Sequence, residues 1–169
     1  MSGEPISSDE LLRLFEAARW APSAGNLQPW RFLYARRDTP EWALFFDLLN
    51  PGNVTWCVNA AVLVLVISKT LNLESGRPIK THSYDTGAAW ENLALQGSIA
   101  GLVVHGMQGF NYERAREVLD VPAEFAVEAM AAIGRPGRPE ALSESLQARE
   151  IPSGRRPLSE TVIEGKYKT

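Results

Sequence analysis

The residues best suited to bind a ligand are three small polar side chains that lie close together near the N-terminus. Ser23, Asn26 and Gln28 supply a hydroxyl and two amides. Trp20 and Trp30 flank them and offer apolar surface on either side. A few hydrogen-bonding groups in an apolar frame suit a flat, polar ligand, so this stretch is the first candidate for a binding site.

The same stretch carries the residues of a tight turn. Pro22 and Pro29 disfavour the helical conformation in the residues before them, which predicts that a helix ends ahead of the turn and a strand follows it. Gly25 and Asn26 tolerate a positive φ, so the chain can reverse direction there. A plain connection whose polar groups satisfy only the turn itself is therefore the alternative to a binding loop.

The rest of the sequence contains no pattern typical of a protein-borne acid, base, nucleophile or metal site. His82 and His105 lie far apart and Cys57 is the only cysteine, so the spacing of metal ligands is missing. Asp85 lies close to His82 but is better explained as a helix cap. No Gly-x-Gly-x-x-Gly, Walker or Gly-x-Ser-x-Gly motif occurs. We therefore assign no catalytic residue and no metal, which leaves redox chemistry carried by a bound cofactor.

Composition predicts one globular domain in the cytoplasm. The chain has 169 residues, of which 45% are hydrophobic, and a formal net charge of −3, so it can bury a full core and has no basic field that attracts nucleic acid. Its longest apolar run, residues 60–67, is far shorter than a membrane span. The N-terminus lacks the features of a signal peptide, and a lone cysteine fits a reducing compartment. We expect neither a membrane nor a nucleic-acid partner.

Apolar periodicity and turn residues predict helices that alternate with strands, which indicates an α/β or α+β class. The run 60–67 is continuously apolar and largely β-branched, so we place it as a central strand buried on both faces. The predicted elements are a helix opened by a Ser7–Glu10 capping box, a strand at 30–35, a helix from Thr39–Pro40 that stops before Pro51, a strand at 60–67, a loop at 71–78, a helix from Asp85 or Thr86 to about Gly101, a strand at 102–105, a turn at 106–110, a helix capped by Asn111, and a strand at 125–133.

The periodicity fails from Arg138 onward. Prolines interrupt the pattern and only scattered apolar residues follow. A long aperiodic segment is either disordered or wrapped on another surface, and the apolar residues favour wrapping. We therefore predict one domain over 1–169, in which residues 138–169 form a C-terminal tail that wraps a partner subunit.

Several of these segments together resemble the nitroreductase-like FMN-dependent oxidoreductases. Residues 21–32, Ala-Pro-Ser-Ala-Gly-Asn-Leu-Gln-Pro-Trp-Arg-Phe, closely resemble the signature loop of that family. Weaker matches follow in the family's order: the central helix at 85–96 with Gly101-Leu102, the loop Gln108-Gly109-Phe110, the segment 51–53 before 59–61, and Arg155-Arg156-Pro157-Leu158. The resemblance spans residues 11 to about 165.

The resemblance implies a fold and an activity. The expected fold is α+β, with a central, mostly antiparallel sheet flanked by helices in an intertwined homodimer. The implied cofactor is FMN, and the implied reaction transfers hydride from NAD(P)H through the flavin to a small electron-poor acceptor such as a nitroaromatic, a quinone or an enone.

The resemblance also gives roles to residues on the flavin side. Ser23, Ala24 and Asn26 would line the flavin of the neighbouring subunit, with Gln28 close behind; turn capping is the alternative for Ser23 and Asn26. Asn53 would reach the pyrimidine edge of the flavin, and a loop cap is its alternative.

Four further residues complete the implied site. Gln108 and Gly109 would offer backbone N–H groups to the N5 side of the flavin, with an ordinary strand-to-helix turn as the alternative. Arg155 would hold the phosphate, with Arg156 as a weaker candidate, and a solvated basic tail is the alternative for both.

One feature of the family has no counterpart in this sequence. Family members usually begin with an Arg/Ser-rich segment that grips the FMN phosphate, and nothing before Ile6 matches it. We therefore expect an N-terminally short member in which Arg155 carries a large share of FMN binding. The alternative function is a non-catalytic flavin-binding or structural homodimer that has lost this phosphate-binding segment.

Overall fold

A computed structural model describes residues 1–167 of the chain. The chain divides into two compact units, Met1–Gly137 and Arg138–Thr169. The division falls at the residue where the periodicity of the sequence fails. The last two residues of the predicted tail, 168 and 169, lie outside the described residues, and the wrapping of the tail around a partner stays a prediction.

The first unit is built on a four-stranded antiparallel sheet with the order β1-β2-β6-β5. A separate two-stranded hairpin, β3-β4, occupies part of the segment that the sequence predicts as a loop. The strands are β1 Trp30–Arg36, β2 Val62–Lys69, β3 Leu71–Asn72, β4 Arg77–Pro78, β5 Val103–Met107 and β6 Phe125–Gly134. The structure confirms the mixed α+β fold with a mostly antiparallel sheet and the central, fully buried strand, because β2 is buried from Val62 to Ser68 and lies between β1 and β6.

Helices cover both faces of this sheet. Alternate residues of β2 point to opposite faces, so Val62, Val64 and Val66 pack with the first and fourth helices, whereas the residues between them pack with the other helices of this unit. The helices are α1 Ser8–Arg19, α2 Trp42–Phe46, α3 Pro51–Cys57, α4 His82–Ile99 and α5 Tyr112–Val118, followed in the second unit by α6 Glu144–Gln147 and α7 Leu158–Thr161. Within residues 1–167, no helix has the length and apolar content needed to cross a bilayer.

Two helix starts differ from the prediction. The helix expected from Thr39 to the residue before Pro51 is only α2, and Pro51 begins α3 with Asn50 as its N-cap. Proline is compatible with the first helical position because its missing N–H has no intrahelical partner there, so Pro51 marks a start as well as it could mark a stop. Asn53 consequently lies on a helix and not in a loop.

The long helix α4 begins earlier than predicted, with Thr81 at its N-cap position. Asp85 and Thr86 are therefore not its caps but belong to its first turns, and both side chains are buried. Strand β5 runs on to Met107, so the turn predicted from residue 106 begins two residues later. The capping box of Ser7 with Glu10 and the Asn111 cap of α5 are confirmed.

Candidate functional site

The turn between α1 and β1 has the conformation that its sequence predicts. Gly25 and Asn26 have the expected positive φ values of 56° and 54°, and Gln28 also has a positive φ, 47°, which was not predicted. The Ser23 hydroxyl oxygen accepts a hydrogen bond from the backbone N–H of Gln28 at 3.0 Å, and the Gln28 amide donates to the Asn26 carbonyl at 3.2 Å. Ser23 therefore stabilises the turn, while its own O–H remains able to donate to a ligand.

A buried carboxylate fixes this turn to the start of α4. The backbone N–H of Ala24 donates to Asp85 Oδ2 at 3.1 Å, and the Thr81 hydroxyl donates to the same oxygen at 2.9 Å. Asp85 is only 4% exposed. A negative charge in the first turn of a helix is favourable, and bonds to a carboxylate are stronger than bonds between neutral groups. Asp85 is therefore the anchor of the turn, a role that its position in the sequence did not reveal.

A second group of predicted residues meets at the end of β5. The Asn53 amide donates to the Gly109 carbonyl at 2.9 Å, and the backbone N–H of Asn50 donates to the same oxygen at 2.9 Å. A Cβ atom at position 109 would lie 2.7 Å from Asn53 Nδ2, so a larger residue would have to displace the amide that donates to the Gly109 carbonyl. Among residues 1–167, the Gly109 N–H has no acceptor, which leaves it free to bind a ligand.

A pocket of about 500 Å³ lies between α4 and the sheet. It includes Gln108 from the predicted set and Thr86, the residue that follows Asp85. The Thr86 hydroxyl is buried and has no hydrogen-bond partner within the described residues. Such a group is costly unless something else satisfies it. The lining residues are Val66, Ser83, Thr86, Gly87, Trp90, Gly106, Met107, Gln108, Glu128 and Ala129.

One end of the pocket carries a polar cluster around Glu128. The hydroxyls of Ser68 and Ser83 both donate to Glu128 Oε1, the latter at 2.7 Å. His82 Nδ1 lies 2.7 Å from Ser68 Oγ and 3.3 Å from Glu128 Oε1. Because the only hydroxyl hydrogen of Ser68 goes to the carboxylate, His82 Nδ1 must carry the hydrogen of the bond between His82 and Ser68. Ser68 is thus not activated as a nucleophile, since the imidazole cannot take its proton.

A β-bulge places Glu128 in this cluster. The register of β2 and β6 pairs Val66 with Ala129 but Ile67 with Val127, so Glu128 is the extra residue on β6. In a regular strand, successive side chains face opposite sides of the sheet, yet Glu128 and Ala129 both line the pocket. The bulge therefore turns Glu128 toward α4. Sequence reasoning missed the cluster because no local signal marks the bulge.

The two predicted phosphate ligands lie in the second unit and have local contacts there. Nη1 of Arg155 donates to the Ser153 and Gly154 carbonyls at 3.0 and 3.1 Å, and Arg156 lies 3.6 Å from Glu160. Both arginines are exposed. Their role in phosphate binding stays a prediction.

The remaining candidates for chemistry are structural. Burial raises the pKa of the Cys57 thiol to about 12, so the sulfur stays protonated and unreactive at neutral pH. Trp56 packs on the ring of His105, with 4.5 Å between the ring centroids. No group of three or more metal-ligating side chains occurs within residues 1–167.

This chain is similar to proteins of the nitroreductase family in both sequence and fold. The sequence model of the nitroreductase family matches residues 2–48. An oxidoreductase containing FMN has a solved structure that is 45% identical, with a TM-score of 0.94 over 99% of this chain and 86% of that chain. A Desulfovibrio desulfuricans protein solved in complex with FMN is 27% identical, with a TM-score of 0.71 over 98% of this chain and 88% of that chain. The NADH dehydrogenase of Thermus thermophilus is 27% identical over 95% of this chain and 87% of that protein.

Proposed function

Because this chain belongs to the nitroreductase family, we propose that it is an FMN-dependent oxidoreductase that passes hydride from NAD(P)H to a small electron-poor acceptor. Nitroaromatics, quinones and enones are the acceptor classes that we propose. The observation that carries the proposal is the geometry at Gly109. The absence of a side chain lets a ligand approach the backbone there, and the N–H has no acceptor in the described residues.

The residues present fit the ring system of FMN. An isoalloxazine ring presents carbonyl oxygens and ring nitrogens along its edges, and neutral N–H and O–H groups can form hydrogen bonds with these atoms. The Gly109 N–H, the Ser23 hydroxyl, and the Asn26 and Gln28 amides are such partners. The Asn53 amide supports the site indirectly, since its bond to the Gly109 carbonyl orients that peptide. We propose that Gln108 completes this side of the site through its backbone, as the family resemblance implies.

When bound, FMN supplies the hydride transfer chemistry, and the protein supplies orientation and hydrogen bonds. The Gly109 N–H would be available to donate to the ring and stabilise its reduced form, which is the contribution expected of a preorganised backbone donor. The turn at Ser23 and Ala24 would contact the ring from the neighbouring subunit, and the carboxylate of Asp85 fixes that turn in place. None of these contacts transfers a proton from an acidic or basic side chain.

We propose that Arg155 binds the phosphate of FMN. Its contacts within the second unit all use Nη1, so Nε and Nη2 remain for a bidentate contact with phosphate oxygens. Arg156 is a weaker candidate because it lies near Glu160. Both assignments rest on the family resemblance of the Arg155-Arg156-Pro157-Leu158 motif.

We further propose that two copies of this chain form a homodimer. The outer face of α4 exposes Tyr84, Leu95 and Ile99, which are 83%, 53% and 81% exposed. These residues recur at helical spacing on one stripe of α4. A second copy is the partner that the family resemblance implies, with the tail 138–169 extending the contact.

A non-catalytic flavin-binding or structural dimer is the second candidate. The Ser23 oxygen and the Asn53 amide both bond to their own chain, which is the arrangement expected if these residues only shape loops. Both candidates have the same fold and form the same dimer. They differ in whether the protein oxidises NAD(P)H and reduces an acceptor.

Reconstitution with FMN separates the candidates. The purified protein is incubated with FMN, desalted and examined for a flavin absorption band that denaturation releases. NAD(P)H oxidation is then followed with a nitroaromatic, a quinone and an enone. Retained flavin with acceptor-dependent oxidation supports the enzyme, retained flavin without turnover supports the non-catalytic dimer, and failure to retain FMN overturns both flavin-binding functions.

A further inference from the structure

The pocket beside Gln108 combines one fixed negative charge with an aromatic wall. Glu128 is the only ionisable residue of its described lining. Glu128 accepts from the Ser68 and Ser83 hydroxyls and lies 3.3 Å from His82 Nδ1, and all three of these contacts use Oε1. Oε2 therefore keeps its capacity to accept a hydrogen bond from a ligand.

The aromatic wall is the indole of Trp90. A Cβ atom at position 106 would lie 2.8 Å from the Trp90 ring, so the ring packs directly over the backbone of Gly106. A flat organic molecule finds there a planar apolar surface, and a cation finds the favourable face of an indole. The carboxylate and the indole both favour positive charge, and the lining within residues 1–167 offers no cationic group for an anion.

The unpartnered hydroxyl of Thr86 gives the pocket a second polar group that a ligand could meet. Thr86 is 2% exposed, and no other polar side chain in the described residues is buried without a partner. Buried hydroxyls are usually satisfied by protein, water or ligand, so a polar group in the pocket removes this deficit. The polar group of the occupant would thus meet Thr86 as well as Glu128.

We propose that this pocket binds the electron acceptor, and that Glu128 selects acceptors that carry an ammonium or N–H group over acceptors that carry a carboxylate. The proposal rests on the proposed oxidoreductase function, because Gln108 belongs both to the pocket and to the loop assigned to FMN. The bulge at Glu128 is the structural device of this selection, since a regular strand would direct that side chain to the other face of the sheet. Glu128 acts through charge and hydrogen bonding and exchanges no proton with the acceptor.

The test compares two nitroaromatics of similar size and opposite charge, 4-nitrobenzylamine and 4-nitrobenzoate. The FMN-loaded wild-type protein is expected to favour the amine by about tenfold in kcat/KM, as one screened contact between unit charges allows. Glu128→Gln keeps an oxygen that accepts from Ser68 and Ser83 but removes the charge, so the preference should fall to near unity. Glu117→Gln makes the same change in net charge on the exposed face of α5 and should keep the wild-type preference.

Direct binding gives a readout that does not depend on turnover. Calorimetric titration of the FMN-loaded protein with benzylamine and with benzoate, without NAD(P)H, should show the same preference and the same loss in Glu128→Gln. A wild-type protein that binds or reduces the carboxylate as well as the amine overturns the proposal, as does a Glu128→Gln variant that keeps the preference. A protein that reduces no acceptor but still prefers benzylamine contradicts the proposed function and leaves the charge selection by the pocket supported.

Discussion

Two loops form the proposed flavin site, and they are held in place by opposite means. The turn at 23–28 is fixed by charge, because Asp85 accepts the Ala24 N–H from across the fold. The loop at 108–109 is fixed without charge, because the Gly109 carbonyl accepts from Asn50 and Asn53 and the backbone packs closely on the Asn53 amide. A loop held by a carboxylate depends on one distant residue, whereas a loop held by close packing depends on the size of its own residue. The two loops should therefore fail in different ways when they are mutated.

The largest effect is expected at the charged anchor. Asp85→Ala leaves the Ala24 N–H and the Thr81 hydroxyl without their acceptor, which should lower the free energy of unfolding by about 2–4 kcal/mol. Asp85→Asn keeps one acceptor oxygen and should lose less. Urea unfolding at fixed protein concentration measures both. An alanine variant within about 0.5 kcal/mol of wild type would show that the carboxylate does not hold the turn.

The second-largest effect is expected at Arg155, which belongs to neither loop. If the two loops bind only the flavin ring, a variant of Arg155 should weaken binding of the phosphate and leave binding of the ring unchanged. Arg155→Ala should raise the dissociation constant for FMN about tenfold to a hundredfold, as expected for loss of about 1.5–3 kcal/mol in a charge-assisted contact. Riboflavin, which lacks the phosphate, should bind unchanged. Flavin fluorescence titrations give both constants, and Arg149→Ala is the matched control in the same unit. Equal losses for both flavins would reject the phosphate role.

The loop held by shape should respond to size and recover when space is restored. Gly109→Ala places a methyl group 2.7 Å from Asn53 Nδ2, and the displaced amide should cost about 1–2 kcal/mol of unfolding free energy. The double variant with Asn53→Ala removes the clash and should cost less than the sum of the single variants. Additive costs in this cycle would mean that the two residues do not meet as described.

A smaller effect, confined to binding, is expected at Asn26. Its φ of 54° strains alanine but not glycine, so Asn26→Gly is the variant that removes the amide without strain in the turn. FMN affinity should fall about threefold to tenfold while the free energy of unfolding stays close to wild type. Unchanged FMN affinity would assign Asn26 to the turn alone.

The smallest expected effect is a gain in stability, and it comes from Thr86, which lines the pocket beside Gln108. Thr86→Val keeps the shape of the side chain and removes a buried hydroxyl that has no partner in the described residues. The unliganded protein should become more stable by up to about 1 kcal/mol, visible as a higher Tm. Benzylamine binding should weaken about threefold at the same time. A lower Tm for the valine variant would show that the hydroxyl is satisfied in solution.

Local patterns in the sequence predicted the elements whose causes are local. The Ser7–Glu10 capping box and the positive φ at Gly25 and Asn26 follow from neighbouring residues and are present in the structure. The central position of β2 follows from an apolar run that only a strand covered on both faces explains. Pro51 was predicted to end a helix but begins one. The sequence could not distinguish the two, because proline occurs both after the last turn of a helix and in the first turn of the next.

The site itself was predicted only where the family resemblance reached. The resemblance proposed residues from 23 to 28 and at 108–109, and the structure added Asp85 as the anchor of the turn and Glu128 as the carboxylate in the pocket. Both roles depend on contacts between distant segments, and the orientation of Glu128 depends on a bulge that has no sequence signal. The assignments of Ser23, Ala24, Asn26, Gln28, Asn53, Gln108, Gly109, Arg155 and Arg156 to FMN stay predictions.

The bulge at Glu128 also makes acceptor choice separable from the fold. Removing this one residue joins the Val66–Ala129 pair to the Ile67–Val127 pair and restores an uninterrupted ladder between β2 and β6. Loss of a single codon would thus delete the charge in the pocket while every other residue of β6 keeps its partner and its face. Under the proposed role of Glu128, such a deletion would abolish the charge preference and would leave the Ser68 and Ser83 hydroxyls without their carboxylate acceptor.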